Sequence, residues 1–161
     1  MLKEGIIDFG ILPDEGDFKS FARQMIYKGY LRLYASNKFP KKDLKKLDFI
    51  LAGSEAKERV LLEQIYFKKF KKQPSEAIEV NSWEVIKKLV VEGMGIGYLP
   101  DYIVNCHKDC LQEVELGLEL HPYSLSAIFP LGMKLKKSSE IFLSYFIPHA
   151  ARFGEFGVLQ N

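Results

Sequence analysis

The stretch that most constrains the fold is residues 81–100, NSWEVIKKLVVEGMGIGYLP, which predicts a capped helix turning through glycines into a buried strand. Ser82 can accept hydrogen bonds from amides of the first helical turn. The apolar residues behind it recur at helical spacing, at Val85, Ile86, Leu89 and Val90. The helix positions expected to face water are Lys87 and Lys88. Gly93 and Gly95 supply the permissive backbone that ends the helix. Residues 96–99 are apolar, as in a strand covered on both faces.

The segment before it shows the same alternation of strand and helix. A short apolar strand is predicted at Phe49–Leu51, and Ser54 can cap a long helix that follows it. The apolar residues of that helix keep the helical period, at Leu61, Leu62, Ile65, Tyr66 and Phe70. Several lysines lie at its carboxyl end, where the helix dipole favours positive charge. Another strand is predicted at residues 77–80. The order strand, helix, strand, helix, strand implies a parallel sheet with right-handed crossovers.

The two ends of the chain carry further extended segments. Residues 6–12 are predicted to form a strand, residues 21–27 a second extended region, and Gly29 a hinge before a strand that contains Leu31 and Leu33. The elements predicted after Pro100 are a short helix, strands at 111–114 and 123–129, and a final helix capped by Ser138. Asp8 is expected to lie inside the first strand as a hydrogen-bonded carboxylate, because an isolated buried charge would be costly.

Composition and charge fit a globular domain and exclude some classes of function. The chain has 161 residues, 47% of them hydrophobic, and a net charge of +2 from 23 basic and 21 acidic side chains. So balanced a charge argues against nucleic acid as a partner for this segment alone. The longest stretch without Asp, Glu, Lys or Arg, residues 120–133, is too short for a membrane span, and residues 1–4 do not open a secretory signal. We therefore expect a cytoplasmic protein with no membrane association.

Two features resemble the effector-binding domain of LysR-type transcriptional regulators. One is the glycine and aspartate pattern of Gly5, Asp8 and Gly10 before a hydrophobic strand, and the other is the run VEGMGIGYLP that ends at Pro100. The resemblance implies a two-subdomain, periplasmic-binding-protein-like (type 2) α/β fold with mostly parallel sheets flanked by helices. It also implies an N-terminally truncated domain, since the family's winged helix-turn-helix, linker helix, and first strand and helix of the domain would lie upstream.

The resemblance further implies how the chain divides. Residues 1–29 and 116–161 would form subdomain I and residues 30–115 subdomain II, with crossovers at the hinges Gly29 and Gly117. A small effector, carboxylate or amino-acid-like, would lie in the cleft between the subdomains. Helix amino termini beyond the carboxyl ends of strands suit an anion. The predicted effector-binding residues are Gly53, Ser54, Asn81, Ser82, Gly93, Gly95, Pro13 and Asp14.

Four of these residues also have a purely structural interpretation. Ser54 and Ser82 are good helix caps on their own account, and Gly93 and Gly95 are backbone requirements of a helix-to-strand turn.

No metal site, cofactor or catalytic motif is predicted. Cys106, His107 and Cys110 cannot complete a four-coordinate zinc shell, and two reduced thiols are more common in a cytoplasmic protein than a disulfide sensor. The sequence has no phosphate loop, serine elbow or metal-binding helix motif, and the glycines at 93–97 precede a strand rather than a helix. These observations argue against an enzyme.

The resulting hypothesis is a ligand-sensing regulatory domain that forms a homodimer or tetramer and reaches DNA only through a domain outside this chain. Two alternatives stay open. A solute-binding protein of a transporter would have the same architecture but would need export. A stand-alone interaction or decoy protein would follow if Met1 were the true start, because an incomplete sheet would offer an edge for pairing.

Overall fold

The structure is a computed structural model that describes residues 1–2, 4–14, 19–105, 109–132 and 134–151. The strands are β1 (Gly10–Pro13), β2 (Phe21–Ser36), β3 (Phe49–Leu51), β4 (Glu76–Glu79), β5 (Ile96–Pro100), β6 (Leu111–Glu113) and β7 (His121–Pro130). The helices are α1 (Lys57–Phe70), α2 (Trp83–Val91), α3 (Asp101–Val104) and α4 (Lys137–Ala151), with a short 3-10 helix at Lys41–Lys46. The chain divides into two compact units: residues 1–29 with 122–161, and residues 30–121.

The second unit contains the predicted crossover units. β3 pairs in parallel with both β4 and β5, with Leu51 opposite Glu79 and Phe49 opposite Ile96. The predicted order of strands and helices across residues 49–100 is confirmed. β3 and β5 are buried along their whole length, as continuous apolar runs in parallel sheets usually are.

One face of this parallel sheet packs against α2. Its core residues are Tyr34, Ile50, Ala52, Ile86, Val90, Leu99, Val104 and Leu111. Gly97 of β5 makes this close approach possible, because a Cβ there would lie 2.8 Å from Val90 Cγ2 and 2.9 Å from Ile86 Cγ2. The position of α2, and of the residues at its amino terminus, therefore depends on a glycine in the neighbouring strand.

β2 is one continuous strand of 16 residues, where the sequence suggested two extended regions around Gly29. Its second half pairs antiparallel with β5, where Leu33 lies opposite Tyr98, and with β6. In the second unit the order of strands is β2, β5, β3, β4. The fold is thus mixed: the parallel pairs lie among β3, β4 and β5, and β2 adds antiparallel pairs that a crossover pattern does not reveal.

The first unit contains β1, β7 and the first half of β2, with β1 antiparallel to β7. The strand predicted at residues 6–12 is shorter and later, since it begins at Gly10. Asp8 consequently lies before the strand rather than inside it. Its carboxylate is nevertheless hydrogen-bonded, because it accepts from Ser139 Oγ at 2.8 Å and pairs with Lys136 Nζ at 2.9 Å.

Two predicted details of the helices are wrong. Ser138 does not cap α4, which begins one residue earlier at Lys137. Lys87 does not face water, since it is only 6% exposed. Its aliphatic stem is covered, and its ammonium lies 2.7 Å from Glu84 Oε2. A lysine on the buried side of a helix can in this way keep its charge paired.

Candidate functional site

Four of the predicted site residues come together where β3 and β4 end. Because these strands are parallel, Gly53 and Ser54 after β3 lie at the same sheet edge as Asn81 and Ser82 after β4. The amide of Val80 donates to Leu51 O at 2.9 Å, so the ladder continues to this point. We call this region the carboxyl edge of β3 and β4.

Asn81 links the two chain segments at the carboxyl edge. Its Oδ1 accepts a hydrogen bond from the Gly53 amide at 2.8 Å. A Cβ on residue 53 would lie 2.3 Å from that oxygen, so a side chain there would displace Asn81. Glycine at position 53 thus leaves room for the Asn81 side chain to accept this hydrogen bond.

The two serines play different local roles. Ser82 caps α2 as predicted: its backbone is extended at φ −152° and ψ 118°, and its Oγ accepts from the Val85 amide at 3.5 Å. Ser54 does not cap α1, which begins at Lys57 after the residue Ala56. A turn closed by the Ala56 amide, which donates to Gly53 O at 2.8 Å, separates Ser54 from the helix and moves the helix start two residues downstream of the predicted one.

A pocket of about 350 Å³ opens at the carboxyl edge. Its lining residues are Ala52, Ala56, Glu58, Asn81, Ser82 and Trp83. We call it the edge pocket. Trp83 Nε1 donates to Glu58 Oε1 at 2.8 Å, which joins the first turn of α2 to the first turn of α1. The edge pocket therefore combines an indole ring, a carboxylate and the amino-terminal turns of two helices.

Sequence reasoning missed Glu58 and Trp83 as lining residues. Both occupy the first turn of a helix that follows a parallel strand, and Trp83 is the single tryptophan of the chain. Position in the first turn of a predicted helix, just after a predicted strand, could have identified Trp83, because first turns of such helices meet at the same sheet edge. Glu58 lies seven residues after the end of β3, and only its contact with Trp83 reveals it.

Arg59 fixes α1 next to the edge pocket. Its side chain, 13% exposed, pairs with Glu63 at 2.8 Å, Glu76 at 2.6 Å and Glu79 at 2.7 Å. Its NH1 also donates to Ala52 O at 3.0 Å. The hydrogen bond with Glu63 is the main cause that raises the pKa of Arg59 above its usual range. Arg59 thus ties the start of α1 to the end of β3 and to β4.

Tyr98 of β5 adds a buried hydroxyl near Glu58. Its side chain is 6% exposed, and its hydroxyl has no hydrogen-bond partner among the described residues. Burial raises the pKa of Tyr98, and the charge of Glu58 raises it further. The phenol therefore stays neutral beside the acid.

Gly93 and Gly95 do not lie at the carboxyl edge. They follow the nine-residue α2, about 13 Å beyond its amino terminus, and precede the start of β5, which pairs with the start of β3. They therefore lie at the opposite end of α2 from Ser82. Gly93 has φ 84°, and a Cβ on Gly95 would lie 2.6 Å from Asp48 O. Both glycines have a structural explanation in this turn, and their role as effector contacts stays a prediction.

The remaining predicted residues of the site and the hinges lie elsewhere. Pro13 ends β1 and Asp14 follows it; the Asp14 amide donates to Ser124 O at 2.9 Å, and its carboxylate pairs with Arg23 at 3.1 Å. Gly29 is buried within β2, and Gly117 has φ 63° and accepts a hydrogen bond from Lys69 Nζ. The roles proposed for these residues stay predictions.

Neither a metal cluster nor a membrane span is found in the part of the chain that the structure describes. Cys110 is exposed and unpaired, while Cys106 and His107 lie outside the described residues.

The fold resembles the regulatory domains of bacterial transcription factors. The regulatory domain of the HypT M206Q mutant from Salmonella typhimurium has 18% identity and a TM-score of 0.73, over 94% of this chain and 78% of that one. The Synechocystis PCC6803 CcmR regulatory domain, solved with 2-PG, has 17% identity and a TM-score of 0.68, over 96% and 78%. Vibrio fischeri DarR, solved with DNA, has 18% identity and a TM-score of 0.73, over 91% of this chain and 52% of that one. Among curated proteins no sequence matches significantly.

These neighbours share the periplasmic-binding-protein-like type 2 fold and confirm the predicted fold class. The family profile described as LysR substrate binding domain matches residues 1–151, so the chain belongs to that family. The family is one of transcriptional regulator domains rather than enzymes.

Proposed function

We propose that this chain is the effector-sensing part of a LysR-type transcriptional regulator and that its edge pocket binds a small amino-acid-like carboxylate. The observation that carries the proposal is the edge pocket itself, with two helix amino termini and Glu58 around one cavity. Its volume, about 350 Å³, lies at the lower end of the range for small-molecule sites.

The helix amino termini favour the carboxylate of such an effector. Backbone N–H groups of a first turn point out of the helix, and the helix dipole places partial positive charge there. α1 and α2 both begin at the edge pocket, at Lys57 and Trp83. Ser82 and Asn81 add a hydroxyl and an amide that can contact the same group.

Glu58 narrows the class of effector. A carboxylate in the lining repels a simple dicarboxylate, whereas it attracts the ammonium of an amino acid. The indole of Trp83, held by Glu58, offers an apolar surface and a cation–π partner for the same ammonium. We therefore favour the amino-acid-like alternative over the purely anionic one.

The wider function follows from the family and is part of the proposal. Effector binding would bias the arrangement of a homodimer or tetramer on DNA, with the DNA contacts supplied outside this chain and the whole regulator acting in the cytoplasm. The Synechocystis CcmR regulatory domain, which has the same fold, was solved with 2-PG, and this supports a small-molecule effector.

A thermal-shift screen with amino acids, aromatic acids and dicarboxylates tests the proposal, using Glu58→Gln to assign the site. Gln retains an oxygen that can accept from Trp83 Nε1 but removes the charge. We expect an amino acid that stabilises the chain to lose about tenfold in affinity in Glu58→Gln, and a dicarboxylate to lose none.

The matched control is Glu119→Gln, which neutralises an exposed acid paired with Lys68 at 3.7 Å, outside the edge pocket. It should leave the affinity unchanged. Stabilisation by amino acids that is equal in the two variants and the unmodified chain would contradict the assignment of the edge pocket.

A further inference from the structure

A second pocket lies at the opposite edge of the same parallel strands, where β3 and β5 begin. Its volume is about 430 Å³, within the range of small-molecule sites. Its lining residues are Lys45, Leu47, Phe49, Tyr66, Lys69, Phe70, Lys72, Ile96 and Leu116. We call it the lysine pocket. It shares no lining residue with the edge pocket, and all its residues belong to the second compact unit.

The floor of the lysine pocket is aromatic and rigid. Phe49 is 3% exposed and packs edge-on against Tyr66, with ring centroids 5.5 Å apart at 84°. Tyr66 in turn contacts Phe70, with centroids 4.6 Å apart, and Phe70 stays 37% exposed. A row of rings that is fixed at one end and open at the other suits a flat apolar ligand, since aromatic pairs add energy beyond their buried area.

The charged residues of the lining are all basic. Lys45, Lys69 and Lys72 are exposed lysines, and no acidic side chain lines the pocket. Lys69 Nζ donates to Gly117 O and lies 5.9 Å from the Phe70 ring. An ammonium has three N–H donors, so this contact leaves donors for a ligand.

Two acids close to the pocket in the chain pair with lysines outside its lining. Asp43 lies 2.8 Å from Lys46 Nζ, and Glu119 lies 3.7 Å from Lys68 Nζ. Asp48 precedes Phe49 in the chain, but its side chain is exposed and outside the lining. The lysine pocket therefore combines an aromatic floor with a rim of positive charge.

We propose that the lysine pocket is a second ligand site, specific for an aromatic carboxylate of one or two rings. The ring stacks on Tyr66 and Phe70, and the carboxylate accepts hydrogen bonds from the rim lysines. This site is separate from the effector site proposed above, and neither depends on the other.

Calorimetric titration of the full chain with 1-naphthoate tests this proposal, alongside 1-naphthalenemethanol, which has the same rings without the charge. The variant is Lys45→Gln combined with Lys72→Gln. The matched control is Lys68→Gln combined with Lys88→Gln, which removes the same charge from exposed lysines outside the pocket. Circular dichroism checks that each variant is folded.

We expect saturable binding of naphthoate that weakens about tenfold in the pocket variant and less than about twofold in the control variant. The alcohol should bind about tenfold more weakly, and Trp83 fluorescence should not change, because Trp83 lies in the other pocket. Three results would overturn the proposal: no saturable binding, equal weakening in both double variants, or equal affinity for the alcohol.

Discussion

Replacing Gly97 by alanine should separate α2 from β5 and so disturb the edge pocket. An alanine Cβ would lie 2.8 Å from Val90 Cγ2 and 2.9 Å from Ile86 Cγ2. Carbon atoms prefer about 3.5 Å or more, so each contact is too short by roughly 0.6 to 0.7 Å. Ile86 and Val90 are 1% and 0% exposed, so both side chains are enclosed by protein and can move away only if their neighbours also move.

Overpacking of this kind costs about 1–3 kcal/mol, and we expect about 2 kcal/mol for Gly97→Ala because two buried methyl groups are displaced together. Unfolding in urea, followed by circular dichroism, measures this loss. The fluorescence of Trp83, at the start of α2, should also change in the folded state.

The matched control is Gly10→Ala in β1. Its added Cβ would meet atoms no nearer than 3.6 Å, an ordinary contact, and its backbone does not need glycine. Its free energy of unfolding should stay within about 0.5 kcal/mol of the unmodified chain. A Gly97→Ala protein as stable as Gly10→Ala would refute the close packing of α2 on β5.

Three further substitutions test single contacts. Arg59→Met should destabilise the chain by about 1–2 kcal/mol in urea unfolding, because several partners of one largely buried side chain are lost while the three glutamates it leaves are partly exposed and can be hydrated; a loss below about 0.5 kcal/mol would refute its role in fixing α1. Asn81→Ala should cost about 1 kcal/mol while Asn81→Asp, which keeps the oxygen that accepts from Gly53, costs less; equal losses would contradict that hydrogen bond. The pKa of Asp8 is lowered from 3.8, chiefly by the hydrogen bond from Lys136. The ionised Asp8 carboxylate therefore stabilises the fold above pH 3.8, and this stabilisation is lost as the pH falls through the lowered pKa. Asp8→Asn should therefore be less stable than the unmodified chain at pH 7 and equally stable at the acid end of a pH series of thermal melts; a difference that persists at low pH would exclude the carboxylate as its cause.

The central elements could be predicted because their local signals agree with the tertiary structure. Phe49–Leu51 and α2 each combine a clear apolar pattern with a clear boundary, at a charged loop or at Ser82. For Ser54 the local signal was ambiguous, because a serine after a strand can either cap a helix or form part of a turn. The hydrogen bond from the Ala56 amide to Gly53 O shows that Ser54 lies in a turn.

Long-range pairing set the features that the sequence did not reveal. β2 continues through Gly29 since its second half pairs with β5 and β6, which lie more than 60 residues away in the chain. Lys87 can be buried because its ammonium pairs with Glu84, which lies one helical turn earlier. The same pair of residues could equally lie on an exposed helix face, so the sequence does not show that Lys87 is buried. The edge pocket was partly predictable, because Asn81 and Ser82 follow a strand, but Glu58 joined it only through its contact with Trp83.

The most direct test of the central claim is the indole N–H signal of Trp83 in a ¹⁵N-labelled sample, followed by NMR while amino acids are titrated in. The chain has one tryptophan, whose Nε1 donates to Glu58 at 2.8 Å in the edge pocket, so the spectrum reports that pocket alone. We predict that at least one amino acid shifts this signal saturably and that Glu58→Gln needs about tenfold more of it for the same shift. An indole signal that no amino acid moves, or that moves equally in Glu58→Gln, would contradict the edge pocket as the effector site.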